Sequence, residues 1–251
     1  MAFKPLNAST FTPRIAALVI GQAGIGKTSL IRTLVGQEYV NDGWQTMEGT
    51  TPKKVFVVSA ESGLLCVQDL LTQGLIDGGT IDEPDDINKV KTYCLSNEFK
   101  SAGYEWIFID SLTEIGSIYE KQAKRNHPDG RDAFKMWGDY SDKITEMIKA
   151  FRDMSNYNVI MTCLEVPESI GEGKNTITRI APDIAGSKIK NRLTSYFDEV
   201  FHMEKIVNNN GKDVVVFSTQ RPVGLAKDRS GKLNAIEEPN LLKIQQKILG
   251  R

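Results

Sequence analysis

Residues 21–30 read GQAGIGKTSL, and one spacing within them, Gly21-x4-Gly26-Lys27-Thr28, limits the chain more than any other feature. Glycines at 21, 24 and 26 let a backbone fold tightly with its N–H groups turned inward, which makes a cradle for phosphate. From that loop Lys27 reaches β- and γ-phosphate oxygens, and the Thr28 hydroxyl is placed to ligate Mg²⁺. Gly21, Gln22, Ala23, Gly24, Ile25, Gly26, Lys27, Thr28 and Ser29 are therefore the expected nucleotide contacts. Such a loop needs a buried strand before it and a helix after it. RIAALVI (14–20) is an apolar run ending at a glycine, and Leu30, Ile31, Leu34 and Val35 lie on one helix face. A helix starting at Thr28 would aim its positive end at the anion.

The rest of the chain repeats this alternation. KVFVVSA (54–60), YEWIFID (104–110) and NVIMTCL (158–164) read as further buried strands, with helical patterns over 63–77, 86–100, 111–124 and 133–154. The stretches 36–54 and 167–187 read as polar connections, and GGTIDEPDD as a loop. EVFHMEKIV and KDVVVFST flank NNNG, a hairpin signal. The fold class is α/β: a mainly parallel sheet with flanking helices and a late antiparallel hairpin. Residues 1–14 read as an extended arm, 15–235 as a single core, and 236–251 as a helical tail with Pro239 near its start.

Composition excludes more than it identifies. A net charge of −1 gives no global field for nucleic acid, so such binding needs a local basic patch. Apolar runs are too short for a membrane span, and no leader pattern opens the chain. Cys66, Cys94 and Cys163 form no C-x-x-C pair and read as buried thiols of a reducing, cytoplasmic setting.

A second carboxylate is expected near the metal, and WIFIDS supplies Asp110 at the end of a hydrophobic strand. The same aspartate also suits a helix N-cap. Ser111 follows where many mechanical ATPases carry a glutamate, so the water-activating base must lie elsewhere. Glu61 stands just past the second strand, on the edge where ligands bind in open parallel sheets, and could orient the attacking water. Its other reading is a solvated loop residue.

The order of loop, Glu61 and a strand ending in Asp-Ser resembles the RecA-type ATPase core. GLAKDRSGKL (224–233) resembles the element by which replicative helicases of the DnaB type insert Lys and Arg into a neighbour's ATP site. The resemblance makes Lys227 and Arg229 candidate fingers acting in trans; an exposed basic turn is the alternative. RecA-type cores usually carry a glutamine after the fourth strand. Here IMTCLEVPE offers Thr162, Cys163 and Glu165, with Thr162 the chosen polar sensor.

Taken together, GQAGIGKTSL, VVSAESG, WIFIDS, YFDEVFHM and AKDRSG resemble a family of phage-encoded, core-only RecA-like annealing or recombination proteins. That resemblance implies a Mg²⁺- and ATP-dependent enzyme binding single-stranded DNA. It also implies oligomers with ATP at subunit interfaces, a single-stranded-DNA-binding protein as partner, and action in the host cytoplasm. Candidate DNA contacts are Lys174, Arg179, Lys188, Lys190 and Arg192 after the fourth strand, and Arg131 in the earlier break. Phe134 and Trp137 suit base stacking or, alternatively, a helix core. Rival functions are a helicase-loader-like switch working through a protein partner and, less well matched, a small-molecule kinase.

Overall fold

Every residue of Ala16–Gly21, the first strand β1, is buried, yet successive side chains leave on opposite sides. Leu18 and Ile20 join one apolar cluster, Ala17 and Val19 another. Two layers of helix are therefore needed, one for each face.

The computed structural model describes residues 12–61, 63–128, 132–170, 177–220 and 225–250. After β1 come α1 (Leu30–Leu34), the hairpin β2 (Gln37–Val40) and β3 (Gly43–Thr46), β4 (Val55–Ser59), α2 (Gln68–Thr72), β5 (Ile76–Thr80), α3 (Pro84–Leu95) and α4 (Asn97–Ser101). Next are β6 (Trp106–Asp110), α5 (Leu112–Asn126), α6 (Ala133–Arg152), β7 (Asn158–Ile170), β8 (Ile177–Pro182) and α7 (Ser187–Arg192). β9 (Glu199–Val207), β10 (Asp213–Ser218), β11 (Lys227–Asp228), β12 (Ile236–Glu237) and α8 (Leu241–Leu249) complete the chain.

The main sheet runs β12-β10-β9-β1-β7-β6-β4-β5. From β9 to β5 all neighbours are parallel, and β10 and β12 add an antiparallel edge. α3, α5, α6 and α7 cover the face of Leu18, Ile20, Ile107 and Ile109. α1, α2 and α8 cover the face of Ala17, Val19, Trp106 and Phe108. The expected mainly parallel α/β sheet and its late hairpin are both present.

Several local expectations are corrected. The polar stretch 36–54 folds as the β2–β3 hairpin, turned by Asn41 and Asp42 at positive φ. Residues 76–80, placed in a helix and a loop, form β5. Its sequence IDGGT lacks strand formers, but a Cβ on Gly78 would lie 2.2 Å from the Val57 carbonyl oxygen, so close packing against β4 demands glycine there. The stretch after 164 continues β7 and returns as antiparallel β8, pairing Glu165 with Pro182 through Ile170 with Ile177. From 236 onward the chain adds β12 to the sheet, and α8 packs against α1. Thr33 Oγ1 accepts the Leu241 N–H at 3.1 Å across that junction. Cys94 and Cys163 are buried, but Cys66 is exposed. Among the described residues no helix is long and apolar enough to cross a membrane.

Candidate active site

Adjacent parallel strands end at the same edge, and that edge assembles the site. β1, β7, β6 and β4 bring Gly21, Thr162, Asp110 and Ser59 side by side; Gly21 pairs with Leu164, and Ser59 with Asp110. The glycines of the loop have distinct causes. A Cβ on Gly21 would meet the Met203 carbonyl oxygen at 2.6 Å, whereas Gly26 sits at φ 105°, where L side chains are strained. Of the loop amides only Ile25 N–H finds a backbone acceptor, Gln22 O at 3.4 Å. Among the described residues, the amides of Gly24, Gly26, Lys27 and Thr28 have no protein acceptor, which is the requirement for an anion cradle.

Two expectations about the loop change. α1 begins at Leu30, not Thr28, and is only five residues long. So short a helix aligns few peptide dipoles, and the loop amides themselves carry the positive potential. Lys27 is folded back on its own loop. Its Nζ donates to the carbonyls of Gly21 and Gln22, both at 2.8 Å. At 8% exposure, burial lowers its pKa, while Asp110 and Glu61 act in the opposite direction.

Asp110 is 3% exposed and accepts two hydroxyl donors. Thr28 Oγ1 donates to Oδ2 at 2.6 Å, and Thr162 Oγ1 donates to Oδ1. Burial pushes its carboxyl up, the Thr162 and Thr28 hydrogen bonds pull it back, and the nearby Glu61 raises it again. The N-cap of α5 is Ser111, not Asp110, with Ser111 Oγ accepting Glu114 N–H at 3.4 Å.

Glu61 is half-buried just beyond β4. Its Oε1 accepts Ser111 Oγ at 2.6 Å, and its carbonyl oxygen accepts Ser59 Oγ. Ser111 therefore holds the candidate base, a role its sequence position hid. The only available signal was that it follows Asp110, and the register of β4 with β6 turns that adjacency into contact. A second pairing is equally unexpected: His202 Nε2 lies 2.5 Å from Glu165 Oε2, both buried, on strands flanking β1.

The residues present fit a magnesium–phosphate site. Thr28 Oγ1 and Asp110 Oδ2 converge from two elements. Among the described residues no group of three or more His, Cys, Asp or Glu could hold a metal. One or two protein oxygens completed by phosphate and water are what Mg²⁺ takes in nucleotide sites.

Lys227 and Arg229 are not gathered here. β11 pairs with the start of β9, Lys227 opposite Val200, whereas the loop glycine Gly21 pairs with Met203. Three residues of strand separate them along the sheet, about 10 Å, and β11 lies toward the opposite edge. Lys227 Nζ donates to Thr194 O at 2.9 Å and to Phe197 O, and Arg229 Nη1 donates to Asp198 Oδ1 at 2.6 Å.

Among the candidate DNA residues, Arg179 forks onto Glu168 Oε2 at 2.9 and 2.8 Å, and Lys190 reaches Glu168 Oε1 at 3.4 Å. Lys188 faces Asp142 at 3.7 Å, and Arg192 is exposed. Lys174 and Arg131 lie outside the described residues. Phe134 is not core: it is 94% exposed, beside Trp137, which is packed edge-on against Tyr140.

A family model described as an AAA domain matches residues 14–230. The chain belongs to that family. The AAA domain match starts two residues before β1 and ends just after Arg229, so it spans the loop, Glu61, Asp110 and Thr162. This AAA domain is a P-loop NTPase of the ATPase type, built to bind nucleotide. No curated protein matches the chain.

Proposed function

We propose that this AAA domain is an ATP- and Mg²⁺-dependent ATPase that assembles with copies of itself, binds single-stranded DNA and promotes annealing or strand pairing. The observation that carries the hydrolytic half is one linked constellation: Thr162 and Thr28 on the two oxygens of Asp110, with Glu61 held by Ser111 beside it. The loop amides receive the phosphates. Lys27 exchanges its carbonyl acceptors for β- and γ-phosphate oxygens. Thr28 and Asp110 would hold the magnesium, which when bound would supply positive charge against the transferred phosphoryl group. Glu61, fixed through Ser111, orients and deprotonates the water; Thr162 donates to Asp110, which favours its charged form against burial, and answers to the γ-phosphate.

Lys227 and Arg229 complete a neighbour's site rather than their own. Lys227 on β11 and Arg229 just after it support this, because cis action would need the segment to move about 10 Å along the sheet to the edge of the loop. ATP would then sit between subunits.

For DNA, the supporting feature is a cavity of about 610 Å³ where Phe134 and Trp137 of α6 meet Lys188 at the start of α7. It joins an exposed ring, for base stacking, to a cation, for phosphate. Residues 174 and 131 remain candidates on the same grounds of charge. A single-stranded-DNA-binding protein as partner, phage origin and a cytoplasmic site of action belong to the same reading.

A second reading, a switch acting through a protein partner, is favoured by Glu168, which already neutralises Arg179 and Lys190. ATP turnover with and without single-stranded DNA separates the two. Stimulation, with binding that weakens steeply in salt, supports the DNA reading. Turnover unmoved by DNA, together with no salt-sensitive binding, overturns it in favour of the switch.

A further inference from the structure

Beside the phosphate loop, away from Asp110 and Glu61, lies a cavity of about 550 Å³ that the hydrolytic scheme leaves unused. Ile25 and Gly26 of the loop form its near side, Met203 and Val215 one wall, and Tyr39 and Trp44 of the β2–β3 hairpin the other. It is continuous with the cradle, because Gly26 belongs to both.

Sheet order gives the cavity a direction. Asp110, Thr162 and Glu61 stand on or just after β6, β7 and β4, all to one side of β1; Met203 and Val215 stand on β9 and β10, to the other. A triphosphate with its γ end against Glu61 and Asp110 therefore carries its nucleoside end toward β9 and β10. The volume suits a base with its sugar.

We infer that Trp44 and Tyr39 form the wall on which a purine base of the nucleotide stacks, so that the hairpin sets nucleotide selectivity. The two rings meet edge to face, 5.4 Å apart. Trp44 is backed by the Arg32 guanidinium at 5.7 Å from the ring centre, which leaves stacking to the opposite face. Arg32 is itself fixed by Gln37 Oε1, Cys66 O and Asp69, so the wall is anchored to α1 and to the segment after Glu61. Tyr39, a large ring at 59% exposure beside a phosphate loop, gains cover from such a ligand. β12 pairs only with Phe217 and Ser218 of β10. Among the described residues, the outer backbone edge of 213–216 has no strand partner, and it offers both donors and acceptors to the base. A purine is favoured over a pyrimidine by its larger stacking face.

The inference rests on the nucleotide reading of the loop, and the experiment keeps the two apart. Binding of a non-hydrolysable ATP analogue, its cytidine counterpart and inorganic triphosphate is measured by calorimetry, with Mg²⁺, on the full chain. Trp44→Ala should weaken the ATP analogue about 10-fold, equal to about 1.4 kcal/mol, and leave inorganic triphosphate unchanged. Trp44→Phe, which keeps a ring, should stay within about 3-fold of wild type for the ATP analogue, a loss of less than 1 kcal/mol. The cytidine analogue should bind wild type more weakly than the adenosine one. An unchanged ATP affinity in Trp44→Ala overturns the inference, as does a parallel loss for triphosphate, which would mean a disturbed loop. Wild type binding neither ligand overturns the loop reading itself.

Discussion

The two edges of the parallel sheet carry charge in opposite ways. At the C-terminal edge Lys27, Asp110, Thr28, Thr162 and Glu61 converge, and among the described residues the amides of Gly24, Gly26, Lys27 and Thr28 beside them have no protein acceptor. Around the start of β9 the charges close on one another. Arg229 bonds Asp198, Lys227 bonds two carbonyls, and Asp228 accepts Ser230 Oγ and the amides of Gly231 and Leu233. One charge there is badly placed: Glu199 faces Asp228 across the strand pair, and its Oε2 is buried without a hydrogen bond. A converging edge is built for a ligand that completes it. A self-satisfied edge serves the fold, unless a second subunit reopens it.

Arg229→Ala tests that exception and carries the largest expected effect. If Arg229 acts in trans, it would contribute about 1,000-fold to turnover. The variant should bind nucleotide normally, lose that factor in phosphate release, and regain part of it when mixed with Glu61→Gln protein. An unchanged turnover would make this edge structural only.

Thr162→Val addresses the converging edge. The Thr162 hydroxyl holds the Asp110 pKa down against burial, so its loss lets the proton return at higher pH. The acid limb of the pH–rate profile should move upward, with activity falling more at an acidic pH than at an alkaline one. A uniform loss at both pH values would point to a packing role instead.

Glu199→Gln gives the smallest change, read as stability. Burial first, then repulsion from Asp228, pushes the Glu199 carboxyl up to about 7. The folded chain thus holds this proton more tightly than the unfolded chain, so stability falls as pH rises from the ordinary carboxylate range to about 7. Removing the charge should raise Tm by about 2–4 °C at pH 8, the shift expected for about 1 kcal/mol in a domain this size. At pH 5 the gain should be smaller. Thermal melts at the two pH values decide it.

Legibility followed the range of the interactions. The phosphate loop could be read because its glycines, lysine and threonine act within a few residues of one another. Asp110 could be read because an apolar run ending in a carboxylate is itself a local pattern. The contact of Ser111 with Glu61 could not, since it joins residues 50 apart through the pairing of β4 with β6. β5 escaped notice because two glycines conceal a strand whose close approach to β4 requires one of them. Arg179 and Lys190 read as candidate DNA contacts, and only the folding back of β8 and the placing of α7 set both on Glu168.

By itself the sequence determined the α/β class, the nucleotide cradle and the carboxylate beside it, because strand burial and tight glycine turns are encoded by neighbours along the chain. Only the tertiary structure decided which polar groups meet. Strand order places β1 between β7 and β9, with Glu61, Asp110 and Thr162 on one side and an aromatic-walled cavity on the other. That order is fixed by how two apolar faces are covered at once, a condition on the whole chain that no short stretch contains.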